Sequence, residues 1–379
     1  MRVAVYQVTS SYAIGGCESY TWNLCHYLGR RGHLCHLIAG LVDKPRLLYP
    51  DVQLRMAPFV AREKIPDLGS RFRKLGERLS FGWHARQFVL AGRYDILNIH
   101  KPYDIPAALW FRRKTGCRIV WRCHGTDFYP GLRRLINQVD AIYCVSNYAR
   151  ESLAAMYPVH ADVIYTGVDT GFFDPALVTR TRGQTPQLIY FGRYEGWKGV
   201  RYLVEALSQL RDLPWVARLV GEGPERENLV RQIAELQLTD RIHIEPAVAD
   251  RERVRQLLAR SDIAVFPAVG VETFSNAVLE AMSMETAVVA TRVGGFVEAI
   301  GHETTGLLTE PKSPASLSAA LRQLLIDPIR RQRLGQGARR RVVAQFDAAD
   351  SFNKVETLFD RVARGRAPTT MMPTNPPVQ

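Results

Sequence analysis

Four stretches of the 379-residue chain combine residue types and spacings suited to a phosphate-linked, hydroxyl-rich ligand. Gly15-Gly16-Cys17-Glu18 follows an apolar run and opens a helical one, where bare backbone amides can approach an anion. It lacks the full G-x-G-x-x-G fingerprint, which argues against a dinucleotide dehydrogenase, and an ordinary glycine turn accounts for it equally well. Gly192-Arg193-Tyr194-Glu195-Gly196-Trp197-Lys198-Gly199 sets two cations five residues apart on a glycine-rich loop. The planar fork of Arg193 and the compact charge of Lys198 can grip one diphosphate, or both can belong to a solvated basic turn.

In Glu272-Thr273-Phe274-Ser275-Asn276-Ala277-Val278-Leu279-Glu280, Thr273, Ser275 or Asn276 can cap a helix whose orphan amides suit a phosphate. Eight residues of ideal helix turn about 80° beyond two full turns, so Glu272 and Glu280 need not meet. Two separate hydrogen-bonding roles fit them better than a paired acid and base; a capped surface helix with two solvated acids is the alternative. In Arg122-Cys123-His124-Gly125-Thr126-Asp127, His124 can donate to a sugar or phosphate oxygen and Asp127 can accept from a hydroxyl. A lone histidine is as readily structural. Gly221-Glu222-Gly223-Pro224 and Gly294-Gly295-Phe296-Val297-Glu298 also follow apolar runs, and tight turns explain either.

Short apolar runs alternating with longer amphipathic stretches predict parallel sheets with crossover helices, hence an α/β fold. Strands are expected at 3–8, 33–39, 96–100, 118–122 and 141–145, with helices between them that include 18–30 and a long basic one near 71–90. Residues 170–186 lack periodicity and are rich in Thr, Gly, Pro and Arg, as a linker would be. The alternation restarts with strands expected at 188–191, 217–221, 242–244, 263–266 and 287–290. Domains are therefore expected at 1–170 and 171–347, followed by a helix near 348–364 and a disordered tail at 365–379. Open parallel sheets bind ligands at the carboxyl edges of their strands, so the ligand belongs between the two domains.

Composition is that of a globular chain, with 46% hydrophobic and 23% charged residues and no apolar run long enough to span a membrane. The N-terminal residues run straight into a strand pattern without a secretion signal, which predicts a cytoplasmic protein. All six cysteines lie in the first half without C-x-x-C pairs, so free, buried thiols are expected and no metal site. Net charge is +13, of which +10 falls in residues 1–170. Such a basic face suits nucleic acid, anionic lipid or an acidic small molecule. No zinc-finger or RNA-recognition signature supports nucleic acid. Segment 62–93 mixes its Lys and Arg with Phe72, Leu75, Leu79, Phe81, Trp83 and Phe88, the mixture of an interfacial helix or of a structural helix with a solvated basic face.

Taken in order, these stretches resemble the retaining nucleotide-sugar glycosyltransferases of GT-B fold, family 4, over nearly the whole chain and most strongly in its second half. The resemblance implies two Rossmann-like doubly wound domains facing a central cleft, with the C-terminal helix crossing back to the first domain. It implies a donor site built mainly by the second domain and an acceptor site built mainly by the first. Arg193 and Lys198 would hold the diphosphate, Glu280 the ribose hydroxyls, and Glu272 and His124 would lie beside the transferred sugar. Gly15, Gly16, Gly221, Thr273, Phe274, Ser275 and Asn276 would complete the donor site, with Asp127 and Glu18 on the acceptor side. The family lacks the D-x-D motif, so neither metal nor cofactor is implied beyond a UDP- or GDP-linked sugar donor. The implied reaction moves a hexose to a hydroxyl of a glycan, glycolipid or lipid-linked acceptor, as in polysaccharide or lipopolysaccharide synthesis, with possible docking at the cytoplasmic face of an anionic membrane. A sugar-nucleotide 2-epimerase of the same architecture and a basic membrane- or nucleic-acid-binding protein are the competing readings. Ser275, Met284-Glu285-Thr286-Ala287 and Glu245-Pro246 depart from the usual family pattern, the last two near positions that bear on nucleotide choice.

Overall fold

The computed structural model describes residues 1–13, 15–46, 48–179 and 183–365. The tail expected at 365–379 lies outside the described residues apart from Gly365. Two parallel sheets form. The first contains β1 (Arg2–Tyr6), β2 (Leu34–Gly40), β3 (Gln53–Ala57), β4 (Ile96–Ile99), β5 (Arg118–Cys123), β6 (Ala141–Cys144) and β7 (Asp162–Val163) in the order β3-β2-β1-β4-β5-β6-β7. The second contains β8 (Gln187–Phe191), β9 (Val216–Val220), β10 (Ile242–Glu245), β11 (Ile263–Phe266), β12 (Ala287–Thr291) and β13 (Leu307–Thr309) in the order β10-β9-β8-β11-β12-β13.

The central strands are apolar throughout because helices cover both faces: every residue of β11 and β12 is buried. The strands expected from sequence all form, with ends shifted by a residue or two. The largest shift is at the first, which stops at Tyr6 because Val8–Ser11 turns into a 3-10 helix. Three strands went unforeseen, and each lies at or beside a sheet edge, where a continuous apolar run is not required. Gln53–Ala57 carries polar residues on a half-covered edge, Asp162–Val163 has only two residues, and Leu307–Thr309 has three.

Strand order reverses between β1 and β4 in one sheet and between β8 and β11 in the other, so each sheet has a switch point where diverging loops open a crevice. The carboxyl edges of the two sheets face each other across direct hydrogen bonds. Thr273 Oγ1 donates to the His124 carbonyl at 2.9 Å, Ser146 Oγ donates to the Thr273 carbonyl at 2.7 Å, and Arg46 Nη2 donates to the Ala249 carbonyl at 2.8 Å.

The helix Ala348–Ala363 crosses back onto the first sheet. Phe352, Val355, Leu358 and Phe359 join Val3, Val5, Trp22 and Val120 in one core. His33 Nε2 lies 2.7 Å from Glu356 Oε1, and Arg361 pairs with Asp162 at 2.5 Å. Backbone bonds pin the crossing, Val168 N to the Phe346 carbonyl and Ala348 N to the Val168 carbonyl, both 2.9 Å. A Cβ at Gly167 would stand 2.6 Å from Ala348 Cα, so only glycine admits this approach.

The basic helix spans Ser70–Gly92. Its apolar residues divide between the two expected roles: Phe81 is fully buried and Phe88 packs on the core, whereas Phe72, Leu79 and Trp83 are exposed. No helix among the described residues is long and apolar enough to cross a membrane.

Because Phe359 is fully buried in the core shared by the crossing helix and the first sheet, Phe359→Ala is expected to cost about 3–5 kcal/mol. Urea denaturation should show a lower midpoint for the transition that releases the first sheet.

Candidate functional site

The loop after β8 is shaped by its contacts with two neighbouring loops. Gly192 has φ 155°, and a Cβ at Gly221 would meet its carbonyl oxygen at 2.0 Å, so Gly221 acts through close packing beneath the loop. Gly199, at φ 67°, sits so near the Pro267 carbonyl that a Cβ would approach it to 2.1 Å. Val269 N and Gly270 N then donate to the Trp197 carbonyl at 2.8 and 3.1 Å, joining this loop to the one after β11. Lys198 is thereby turned inward. Its Nζ pairs with the Glu272 carboxylate and lies 4.4 Å from the Trp197 ring centroid, with 19% of the lysine side chain and 11% of the glutamate side chain exposed. Arg193 stands differently: its side chain is 62% exposed and its guanidinium reaches Glu195 at 3.4 Å. Such an exposed pair contributes little, which leaves the arginine free to re-aim.

Gly294 and Gly295 brace the Glu272 segment from behind, since a Cβ at either would lie 2.1 Å from the carbonyl oxygens of Glu272 and Thr273 respectively. Gly295 N donates to the Glu272 carbonyl at 2.7 Å. The helix Asn276–Ser283 begins immediately afterwards, with Ser275 at its N-cap position but without a side-chain cap bond. The capping expected of Thr273, Ser275 or Asn276 therefore does not form: Thr273 spends its hydroxyl on His124, and Asn276 Nδ2 reaches the Gly16 carbonyl at 3.4 Å. The first-turn amides keep their donor capacity and the positive end of the helix dipole. Phe274 packs between Tyr165 and Phe346, at ring separations of 5.2 and 5.5 Å, so its side chain serves lobe packing. Glu280 is half-buried on the same helix, its carboxyl without a hydrogen bond among the described residues, and burial pushes its pKa up from 4.5 to about 7 against the opposing pull of Arg251.

From the first sheet, Gly16 faces Asn276, and a Cβ there would lie 3.2 Å from Asn276 Nδ2. A Cβ on the neighbouring Gly15 would meet Glu18 Oε2 at 2.6 Å. Glu18 is held by Thr9, whose hydroxyl donates to it at 2.6 Å. His124 lies at the end of β5 with Nδ1 3.4 Å from the Arg122 carbonyl, and its Nε2 is buried without a partner. Burial, then Lys101 and Arg122, hold its pKa well below the ordinary histidine range, so the ring is neutral at neutral pH. The tautomer that donates Nδ1–H to this carbonyl leaves Nε2 as an acceptor toward a ligand hydroxyl, and the other tautomer leaves it as a donor. Asp127 is tied to the basic helix through Lys74 and accepts from the Tyr103 hydroxyl at 3.3 Å, so its charge is already matched.

Arg193, Lys198, Glu272, Ser275, Asn276 and Glu280 thus rise from the carboxyl edge of the second sheet, opposite Gly15, Gly16 and His124 from the first. Asp127 and Glu18 stand beside them, committed to protein partners.

Sequence reasoning missed how Glu298 works. Its carboxylate accepts from the backbone amides of Asn147 at 2.8 Å and Tyr148 at 2.7 Å and from the Tyr165 hydroxyl at 2.8 Å. It therefore caps the helix Asn147–Ala154 from the opposite lobe. The Ser146-Asn147 pair at a strand end was the available signal, because both types favour helix starts. His100, 1% exposed at the end of β4, and Cys17 were also passed over.

Comparison with known proteins gives a consistent result. The family profile described as "Glycosyl transferases group 1" matches residues 178–341, and "Glycosyltransferase Family 4" matches residues 14–172. D-inositol 3-phosphate glycosyltransferase of Pseudarthrobacter chlorophenolicus is 34% identical over 362 residues, covering 86% of this chain and 85% of that protein. Sucrose-phosphate synthase from Thermosynechococcus elongatus superposes with a TM-score of 0.83 at 19% identity, over 96% of this chain and 99% of that one. Anabaena HepE in complex with UDP and glucose superposes with a TM-score of 0.77 at 19% identity, over 95% and 99%.

The raised pKa of Glu280 yields a stability test. Between about pH 4.5 and 7 the folded chain keeps a proton here that the unfolded chain has lost, so this group makes stability fall as pH rises through that window. Glu280→Gln cannot ionise. It should melt level with the wild type near the lower limit and about 2–6 °C higher at pH 8, as read by scanning calorimetry.

Proposed function

The chain belongs to the GT-B glycosyltransferases of family 4, and from that premise we propose that it moves a hexose, with retention of configuration, from a UDP- or GDP-linked donor to a hydroxyl of a glycan, glycolipid or lipid-linked acceptor. The observation that carries this reading is the inward-facing Lys198 beside Glu272, at the foot of a helix whose first amides no side chain caps. Breaking the bond between sugar and phosphate loads negative charge onto the departing diphosphate. Pre-aimed cations and amides stabilise that charge more in the transition state than in the ground state.

In the free protein Glu272 neutralises Lys198. An entering diphosphate takes over the ammonium, and the released carboxylate turns to sugar hydroxyls. Arg193, held at the rim by an exposed pair with Glu195 and a distant contact with the Trp197 ring, swings onto the same diphosphate. Glu280 receives the ribose hydroxyls, and His124 Nε2 accepts from a hydroxyl of the sugar. HepE, a structural relative, holds UDP and glucose, which supports a nucleotide-sugar donor here. Lys198 and Arg193 supply the positive charge that a metal would otherwise bring, so the proposed transfer is metal-independent.

In the proposed donor complex the Glu272 carboxylate and His124 Nε2 are both taken up by sugar hydroxyls, so neither is left to act as the nucleophile of a double displacement. Same-face attack follows. The acceptor oxygen bonds to the anomeric carbon as that carbon's bond to the phosphate oxygen breaks, and the acceptor's hydroxyl proton passes to the departing phosphate.

The exposed Phe72, Leu79 and Trp83 on the basic helix, with Leu68 just before it, support a further part of the proposal. This face rests on the anionic cytoplasmic leaflet and brings a membrane-borne acceptor to the first lobe. Trp83→Ser with Phe72→Ser should cut recovery with anionic liposomes in flotation several-fold. Equal recovery of wild type with neutral and anionic vesicles would reject the docking.

Arg193→Ala is expected to lower kcat/KM about 100–1000-fold without changing the melting temperature. Lys198→Ala should lose as much activity and also melt earlier, by about 1–3 kcal/mol, because Glu272 is left unpaired and only 8% exposed. Lys198→Ala with Glu272→Gln should regain the stability but not the turnover. Steady-state rates beside thermal melts check both, and wild-type turnover in folded variants would remove these residues from the reaction.

A further inference from the structure

Three side chains that no part of the proposed transfer brings together meet at the floor of the first lobe. Cys17 opens the helix Gly16–Arg30, His100 follows β4 and His124 follows β5. Since β1, β4 and β5 are adjacent in the sheet, their carboxyl ends carry these residues to one point beside the switch crevice. One ligand atom from each lies within 4.8 Å of the others, and Cys17 Sγ is 3.9 Å from His100 Nδ1. The Nε2 atoms of both histidines are buried with no hydrogen-bond partner. Two unpartnered imidazole nitrogens are costly in a described fold that otherwise satisfies most of its buried polar groups.

We propose that Cys17, His100 and His124 form a binding site for a borderline-soft divalent metal ion of the zinc class, and that its occupancy shuts the donor crevice. The second half rests on the transfer reading above; the first does not. A thiolate and two imidazoles are the ligand set zinc prefers, at about 2.3 Å to sulfur and about 2.0–2.1 Å to nitrogen. Tetrahedral angles then separate ligand atoms by about 3.5 Å, so shifts of about 1 Å convert the present arrangement into a coordination shell. Outer partners are already in place: Gln7 Nε2 donates to Cys17 Sγ at 3.5 Å, and the Arg122 carbonyl lies 3.4 Å from His124 Nδ1, which directs Nε2 inward. Cys17 and His124 are half-buried and His100 is buried, so the ion would keep one open position toward the cleft. Ligation releases the Cys17 thiol proton to solvent. It also takes the His124 lone pair that otherwise accepts from the donor sugar.

Cobalt(II) provides a direct probe that needs no sugar or acceptor. Added to the metal-free protein, it should produce a near-ultraviolet thiolate-to-cobalt charge-transfer band with four-coordinate visible bands, and zinc should displace both. Cys17→Ala should abolish the charge-transfer band. His124→Ala should weaken binding by more than the roughly 10–100-fold typical of losing an outer partner. Absence of the band in wild type, or its full intensity in folded Cys17→Ala, overturns the site. Zinc should then inhibit transfer by the wild type but not by Cys17→Ala, each compared with its own metal-free rate. Cobalt binding without zinc inhibition overturns the blocking role alone, and cobalt binding in a protein that transfers no sugar overturns the function while the metal site stands.

Discussion

A positive charge held inside a crevice with a single removable counter-ion is the constraint around which this molecule is arranged. Lys198 reaches Glu272 only because Gly199 lets its loop lie against the Pro267 carbonyl and because the Trp197 carbonyl anchors the loop after β11. Glu272 is fixed in turn by Gly294 and Gly295, whose missing side chains allow backbone to stack on backbone. Three glycine contacts thus hold one ion pair in the cleft, Gly199 from the loop after β8 and Gly294 with Gly295 from the loop after β12. The pair is electrically quiet at rest and becomes a strong anion site once the carboxylate is drawn away.

The same segment also joins the two lobes, which ties geometry to chemistry. Thr273 bonds to both His124 and Ser146, Phe274 lies between Tyr165 and Phe346, and Glu298 caps a helix of the opposite lobe. Residues flanking the ion pair therefore report directly on lobe position. Any movement that separates the lobes must break bonds within one or two residues of Glu272.

Much of this was legible in the residue order, for a physical reason. The central strands are buried on both faces, so they must be uninterrupted apolar runs, and the motif loops follow them where a parallel sheet presents its carboxyl edge. Edge strands such as Asp162–Val163 carry no such requirement and left no pattern. Within the site, the charge of Lys198 and the glycines around it were readable because few other residues fit there. The work of Thr273, Phe274 and Glu298 was not, because it consists of contacts with residues more than 70 positions away, and a sequence window holds no record of such partners. The meeting of Cys17 and His100 with His124 was illegible for the same reason: His124 stood out singly at its strand end, but only strand order brings the three together.

The chain passes between its lobes twice, near Val168 and again near Asp347, and the two passages lie side by side in a short parallel bridge. Two adjacent strands fastened together resist twisting and sideways slip far better than one, yet they still bend together about a shared line. Such a fastening favours opening and shutting like the covers of a book, with the spine at this bridge, over twisting or sliding of one lobe on the other. Whatever enters along the fore-edge meets the same opposing surfaces in the same register at every closure.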